Sequence, residues 1–426
     1  MVKENTMILA QDRYYSLDCM ETLRNNNVLV VGTSGAGKTR SIVAPNLLQA
    51  TGSYIVSDPK GNLYKKYGPY LKSKGYKVQC LDFVHPERSI HYNCLNYIHN
   101  SQDIVKVATM LVYQRKVASL QDPFWEEAAT MLLSSLIGYL GENRNLAKDE
   151  KNLHSVLKLL RVGRRGGDNS TGPTVLEKIM EEFGRRQRNS WAYEQFQNAN
   201  VAANRTFDSI LITLTSKMGT FDTKELQTMM QDDQVNISNI GREKTALFVV
   251  VSDTDRSMDA LANLFFTQAM NELCLYADEY CEDNRLPVPV RFILDDFATN
   301  CKIEEFPRMI ASIRSRGIST MLMIQAESQL TEGYGYDGRT IIGNCDTYVY
   351  LGGNDLDTAK AVAERCDLPF DKVLSMPVGQ NWIFRRGEEP VYGQNFDLDA
   401  FVRELGVDKL PKQPISTTDW VDIPCA

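Results

Sequence analysis

The chain has 426 residues, 43% hydrophobic and 24% charged, so it is long for one core and two domains are expected. A net charge of -7 and a mean hydropathy of -0.31 exclude a chain that grips nucleic acid by its overall field, and leave only local patches for such contact. Nine scattered cysteines without C-x-x-C spacing argue for reduced thiols rather than a disulfide frame or zinc site; with no signal-peptide core and no apolar run near the roughly 18 residues that span a bilayer, the chain as given reads as soluble.

In chain order, an apolar β-branched strand over Val28–Val31 runs into Gly32-Thr33-Ser34-Gly35-Ala36-Gly37-Lys38-Thr39, and residues 40–49 then read as a helix. This is a full match to G-x-x-x-x-G-K-[ST]. Chance alone produces the pattern in about one chain in a hundred of this length, and the strand–loop–helix setting makes chance a poorer explanation still. Glycines in such a loop let backbone N–H groups turn inward around phosphates, at a helix N-terminus that already favours anions. Lys38 would reach the β/γ-phosphates of ATP and Thr39 would ligate Mg²⁺.

Further buried strands are predicted at Tyr54–Ser57, Val78–Leu81, Ala246–Val251, Arg291–Leu294, Thr320–Ile324, Thr347–Leu351 and Asn381–Phe384, with helical stretches between most of them. The alternation implies an α/β three-layer domain with right-handed crossovers. It breaks between about residues 98 and 219, where the candidates are helical: Asp103–Val117, Phe124–Leu140, Leu153–Arg161, Thr174–Phe183, Ser190–Asn200 and Ala203–Leu214. The domains expected are therefore a discontinuous nucleotide-binding domain over 1–97 and 220–410, an inserted all-α domain over 98–219, and a loosely attached tail over 411–426.

A P-loop needs an acidic partner on a nearby strand to hold Mg²⁺ and orient water. Arg291-Phe292-Ile293-Leu294 ends in Asp295-Asp296, a Walker B arrangement. Asp295 would serve the metal shell and Asp296 would be the general base. Ser57-Asp58, after Tyr54–Val56, is a rival, but Pro59-Lys60-Gly61 follows at once and reads as a turn. Residues 151–205 carry ten Lys/Arg against five Asp/Glu. Within them Arg185, Arg186 and Arg188 lie near Trp191, Tyr193 and Phe196, a mixture found in single-strand binders, though aromatics at helical spacing also pack cores.

About 256 residues separate the P-loop from the acidic pair, too many for a small-molecule kinase. With Leu23-Arg24-Asn25-Asn26-Asn27, Pro45-Asn46-Leu47-Leu48, Ser57-Asp58-Pro59-Lys60-Gly61, Leu294-Asp295-Asp296-Phe297-Ala298, Ser315-Arg316-Gly317-Ile318, Gln325-Ala326-Glu327-Ser328-Gln329-Leu330 and Ile341-Ile342-Gly343-Asn344-Cys345-Asp346, the chain resembles the conjugative coupling proteins of type IV secretion, the TraG/TraD class, from about residue 20 to about 400. The resemblance implies a RecA-like P-loop ATPase with a mainly parallel central sheet. It also implies a homo-hexameric ring at the cytoplasmic face of the bacterial membrane, linking a DNA–relaxase complex or protein effectors to the secretion channel. By the same resemblance Gln325, ending its strand, would contact the γ-phosphate or the lytic water. Arg314, on a helix between strands, would be an arginine finger given across a subunit interface, with Arg316 as the alternative. The chain departs from the family in two ways. Asp296 stands where Glu is usual, setting the carboxylate roughly 1.5 Å back, and the usual N-terminal membrane helices are missing, either removed or never present. Two other functions stay open: a receptor that binds ATP and recruits protein with little hydrolysis, and a P-loop DNA translocase of the septal or virion-assembly type.

Overall fold

The computed structural model describes residues 5–113, 123–164, 172–200 and 204–410. The chain divides into two compact units: Met1–Val84, Asn236–Thr254 and Ala269–Ala426 in one, His85–Val235 and Asp255–Gln268 in the other.

Among the described residues all the strands lie in the first unit: β1 (Thr6–Ala10), β2 (Arg13–Ser16), β3 (Val28–Val31), β4 (Ser53–Ser57), β5 (Lys77–Asp82), β6 (Thr245–Val250), β7 (Val290–Leu294), β8 (Ile318–Ile324), β9 (Thr347–Tyr350), β10 (Gln380–Arg385) and β11 (Val391–Gln394). β1 and β2 form a separate antiparallel hairpin. The rest make one nine-stranded sheet in the order β11-β10-β9-β3-β8-β7-β4-β6-β5. From β9 to β5 every pairing is parallel, and β10 and β11 extend one edge antiparallel. β3, β4, β6 and β7 are buried along their whole length, as expected of strands covered on both faces. All eight strands expected from the apolar runs are present.

Two amide clamps fix the sheet around β3. Asn46, on the helix Ala44–Leu48, accepts from the backbone N–H of Ile8 (3.0 Å) and donates to its carbonyl (2.7 Å), docking the hairpin like an added strand. Asn27, fully buried ahead of β3, accepts from the backbone N–H of Thr320 in β8 (3.0 Å) and donates to the Asn344 carbonyl (3.2 Å). Asn25 and Asp346 exchange backbone-to-side-chain bonds of 2.6 and 3.2 Å. The Asn25–Asn27 and Ile341–Asp346 segments are thus fasteners of the sheet.

The second unit is helical. Its helices include Ser101–Val112, Phe124–Glu142, Leu153–Val162, Val175–Arg186, Trp191–Ala199 and Asn204–Met218. The sequence explains their starts: Asn100, Asn152, Thr174 and Ser190 each cap with a side-chain oxygen, and Thr174 with Glu177 forms a reciprocal box. The unit begins and ends outside the expected 98–219. The flanking segments pair with each other, Tyr92 donating to the Met229 carbonyl (2.8 Å) and Gln234 to that of His91 (2.9 Å), so they belong with the helices. The expected tail over 411–426, residues 114–117 of the first helical candidate and Ala203 of the last lie outside the described residues.

Candidate nucleotide site

β3 delivers its C-terminal end to the loop Gly32–Thr39. The loop leaves the sheet with Gly32 N–H bonded to the Ile324 carbonyl of β8 (3.1 Å) and Thr33 N–H to that of Gly352 (3.0 Å). Gly35 and Gly37 have φ of 81° and 94°, a region that favours glycine. At Gly32 a Cβ would stand 3.0 Å from Leu351 Cβ and 3.1 Å from Ala36 Cβ, so the first glycine is fixed by packing. One wide helical turn over Thr39–Val43 and the helix Ala44–Leu48 follow.

The sheet order brings the acidic pair to the loop. β8 lies between β3 and β7, and the three strands end together, placing Gln325 between the P-loop and Asp295-Asp296. The Thr39 hydroxyl donates to Asp295 Oδ2 across this gap at 3.0 Å, and the Ser57 hydroxyl donates to the Asp295 carbonyl at 3.1 Å. Asp296 takes a left-handed backbone (φ 50°), and Gln325 Nε2 meets its Oδ1 at 3.4 Å. Burial, then the charge of Asp296, pushes the Asp295 carboxyl above the usual carboxylate value, opposed by the Thr39 hydroxyl and Lys38. Burial likewise lowers Lys38, against the pull of Asp295 and Asp296. Its Nζ folds back onto the carbonyls of Gly32 (2.6 Å) and Thr33 (3.3 Å).

These groups line a cleft of about 420 Å³ that also takes in Ser34, Asp58, Lys60 and Asp253. The donor set fits a magnesium nucleotide: glycine backbone for phosphate, an ammonium, and a hydroxyl beside a carboxylate, the oxygen ligands Mg²⁺ prefers. Asp58 has a different task. It is buried, pushed up by burial, and accepts the backbone N–H of Tyr64 (2.9 Å), starting the helix Asn62–Ser73. Lys60 and Asp253 form an ion pair (3.6 Å) at the same cleft. Lys60 lay within a segment already singled out, whereas Asp253 follows its strand with no local signal. Arg40 also lines the cleft but is paired with Asp399.

Two expectations are corrected. Arg314 is not on a helix: the helix ends at Met309, and hydrogen-bonded turns run on to Gly317. Arg314 lies just ahead of β8, at the sheet edge opposite the P-loop, and Arg316 is bound through two nitrogens to Asp278 (2.8 and 2.7 Å). The aromatic–basic stretch is not an open stacking platform. Phe196 is buried against Phe207, and the Tyr193 and Trp191 rings occupy the space beside Gly184 and Gly138. Arg185 and Arg186 pair with Glu181 and Glu182 on their own helix. Arg165 and Asp168, two of the charged residues counted over 151–205, lie outside the described residues.

A glycine loop between strand and helix, facing carboxylates at the end of a strand one place removed, defines the site of a P-loop nucleotide-binding protein. A model of the family described as type IV secretory system conjugative DNA transfer matches residues 1–367, and the chain belongs to that family. It is 26% identical over 356 residues to the protein VirD4 of Rhizobium radiobacter, covering 79% of this chain and 48% of the relative. It is 23% identical over 373 residues to the conjugal transfer protein TraG of Escherichia coli, covering 80% and 55%. The chain thus spans about half the length of the curated relatives it matches. Among solved structures it is similar in fold to the conjugative coupling protein TrwBdeltaN70 (TM-score 0.67, 13% identity, 93% of this chain and 91% of that). It is also similar to TrwB in complex with ADP and Mg²⁺ (TM-score 0.64, 14% identity, 93% and 91%).

Proposed function

We propose that the chain is the motor region of a coupling ATPase of conjugative type IV secretion. The observation that carries the reading is the 3.0 Å bond from Thr39 to Asp295, which joins the P-loop to the acidic pair in a chain of this family. In this reading the backbone of Gly32 to Gly37 cradles the phosphates of ATP, and Lys38 swings from the Gly32 carbonyl to the β/γ-phosphates. Thr39 and Asp295 hold Mg²⁺. Asp296 takes the proton of the attacking water, which Gln325 orients beside the γ-phosphate. Arg314 acts from another copy of the chain in a homo-hexamer. The solved TrwB complexes with ADP and Mg²⁺ and with an ATP analogue support the choice of ligand.

Family membership supports the partners: DNA carrying its relaxase, or protein cargo, and the secretion channel, with the assembly at the cytoplasmic face of the membrane. Among the described residues no helix is long and apolar enough to cross a membrane. The test is ATP turnover with and without single- and double-stranded DNA. Turnover raised by DNA and reduced at least about a hundredfold by Lys38→Ala is expected. Turnover indifferent to Lys38→Ala would overturn the reading.

The shorter Asp296 favours a second reading, a receptor that binds ATP and recruits relaxase or effector with little hydrolysis. It predicts low turnover under all DNA conditions while the helical unit's surface still binds protein partner.

A further inference from the structure

Two charged side chains that line the nucleotide cleft have no part in the P-loop or the acidic pair: Lys60 and Asp253. The sheet explains why they meet. β4 lies between β7 and β6 and is parallel to both, and Lys60 and Asp253 each stand three residues beyond the ends of their strands, β4 and β6. The register of β4 on β7, with Val56 opposite Ile293, puts Lys60 at the same end of the sheet as Asp295 and Asp296. The turn that carries Lys60 is held on both sides. The Asp58 N–H donates to the Val249 carbonyl (2.9 Å), the Asp58 carbonyl accepts from the Gly61 N–H (3.0 Å), and Gly61 has φ 64°, which favours glycine.

The backbone of Lys60 is thus fixed, whereas its side chain is only loosely engaged. Lys60 is 69% exposed, and its Nζ stands 3.6 Å from Asp253 Oδ2, its one ionic partner among the described residues. An exposed pair of this kind contributes about 1 kcal/mol at most, so a stronger anion takes the ammonium at little cost. The cleft carries four carboxylates, Asp58, Asp253, Asp295 and Asp296, against Lys38, Lys60 and Arg40, and Arg40 is bound to Asp399. A triphosphate adds negative charge to that set. Lys38 meets it from the β3 side of the cleft, and Lys60 is the remaining ammonium, rooted on the β4 side beyond the acidic pair.

We infer that Lys60 reads the terminal phosphate of ATP. Asp253 holds the Lys60 ammonium when the cleft carries ADP or no nucleotide, and the γ-phosphate of ATP takes it from Asp253. The exchange adds to the site a preference for ATP over ADP. It also frees Asp253, two residues before the chain passes at Asp255 into the helical unit, so that segment differs between the two nucleotide states. The inference rests on the part of the ATPase reading that places ATP in this cleft.

The test measures affinity rather than turnover. A fluorescent ADP bound to the full chain with Mg²⁺ is displaced by ADP or by a non-hydrolysable ATP analogue, and Lys38→Ala is the control that binding is at this cleft. Lys60→Gln should weaken the analogue about tenfold and leave ADP within about twofold. Asp253→Asn, which removes the competing carboxylate, should tighten the analogue about threefold. A Lys60→Gln chain that keeps the wild-type ratio of the two affinities, or loses both equally, would overturn the inference. So would an Asp253→Asn chain that binds the analogue more weakly than wild type. The two readings fail separately. A wild-type chain that binds both nucleotides without turning ATP over fails the ATPase reading alone, and the displacement ratios still decide Lys60. A wild-type chain that binds neither overturns both.

Discussion

The two edges of the central sheet treat negative charge in opposite ways. The edge where β3, β8 and β7 end offers backbone N–H groups, Lys38 and Lys60, and the carboxylates of Asp58, Asp253, Asp295 and Asp296; its arginine, Arg40, is tied to Asp399. The edge where β4, β7 and β8 begin offers a cavity lined by the guanidiniums of Arg285, Arg291 and Arg314, with no carboxylate among its described lining residues. Each edge holds what the other lacks. A phosphoryl-transfer site needs both a cradle with a metal and a mobile positive charge. The difference teaches that the two ends of the parallel strands carry opposite charge preferences, which is the arrangement the proposed contact between copies requires.

The largest effect expected from breaking this contrast is at Arg314. Arg314→Gln should lower ATP turnover by about a thousandfold or more without lowering the melting temperature. Arg316→Gln should do the reverse, losing up to about 1 kcal/mol of stability from the Asp278 pair while turnover stays near wild type. Turnover assays beside thermal melts separate the two. On the phosphate edge, Gln325→Ala should reduce kcat by about a hundredfold while nucleotide affinity is retained, measured by turnover and by titration with a fluorescent ATP analogue. Asp296→Glu should keep or raise turnover, because the longer side chain moves the carboxylate toward the phosphates; a large fall would show a site built around the shorter residue.

The smallest effect concerns Asp295. Its folded pKa is raised above the ordinary 3.8, so above that value the folded chain holds more proton than the unfolded one. Stability then falls as pH rises through that window. Asp295→Asn should flatten this decline in nucleotide-free protein and should abolish the added stability from ATP with Mg²⁺, both read from melts across pH.

Much of the sheet was legible because strands covered on both faces leave continuous apolar runs such as Val28–Val31 and Ala246–Val251. The antiparallel strands β2 and β11 were not: Arg13–Ser16 and Val391–Gln394 are only partly buried, and their sequences carry no apolar run. Asp295 could be proposed from its strand end, because a parallel sheet brings its C-terminal ends to one side, whereas Gln325 was pointed to by the family resemblance. The three-arginine cavity could not be proposed, since Arg285, Arg291 and Arg314 sit in unlike local settings that only the crossovers bring together. Asp58 shows the converse limit. The same strand–carboxylate signature that marks Asp295 there serves a helix start, and the distinction lies in which backbone N–H groups follow it.

The Asn27 clamp has a consequence for motion. Because one buried amide holds the Thr320 N–H and the Asn344 carbonyl, opening the start of β8 also releases the approach to β3. The P-loop strand and the Gln325 strand should therefore unzip together, and their backbone protons should exchange with deuterated solvent as a single late class. Replacing Asn27 would split that class in two and leave each strand free to fluctuate without the other.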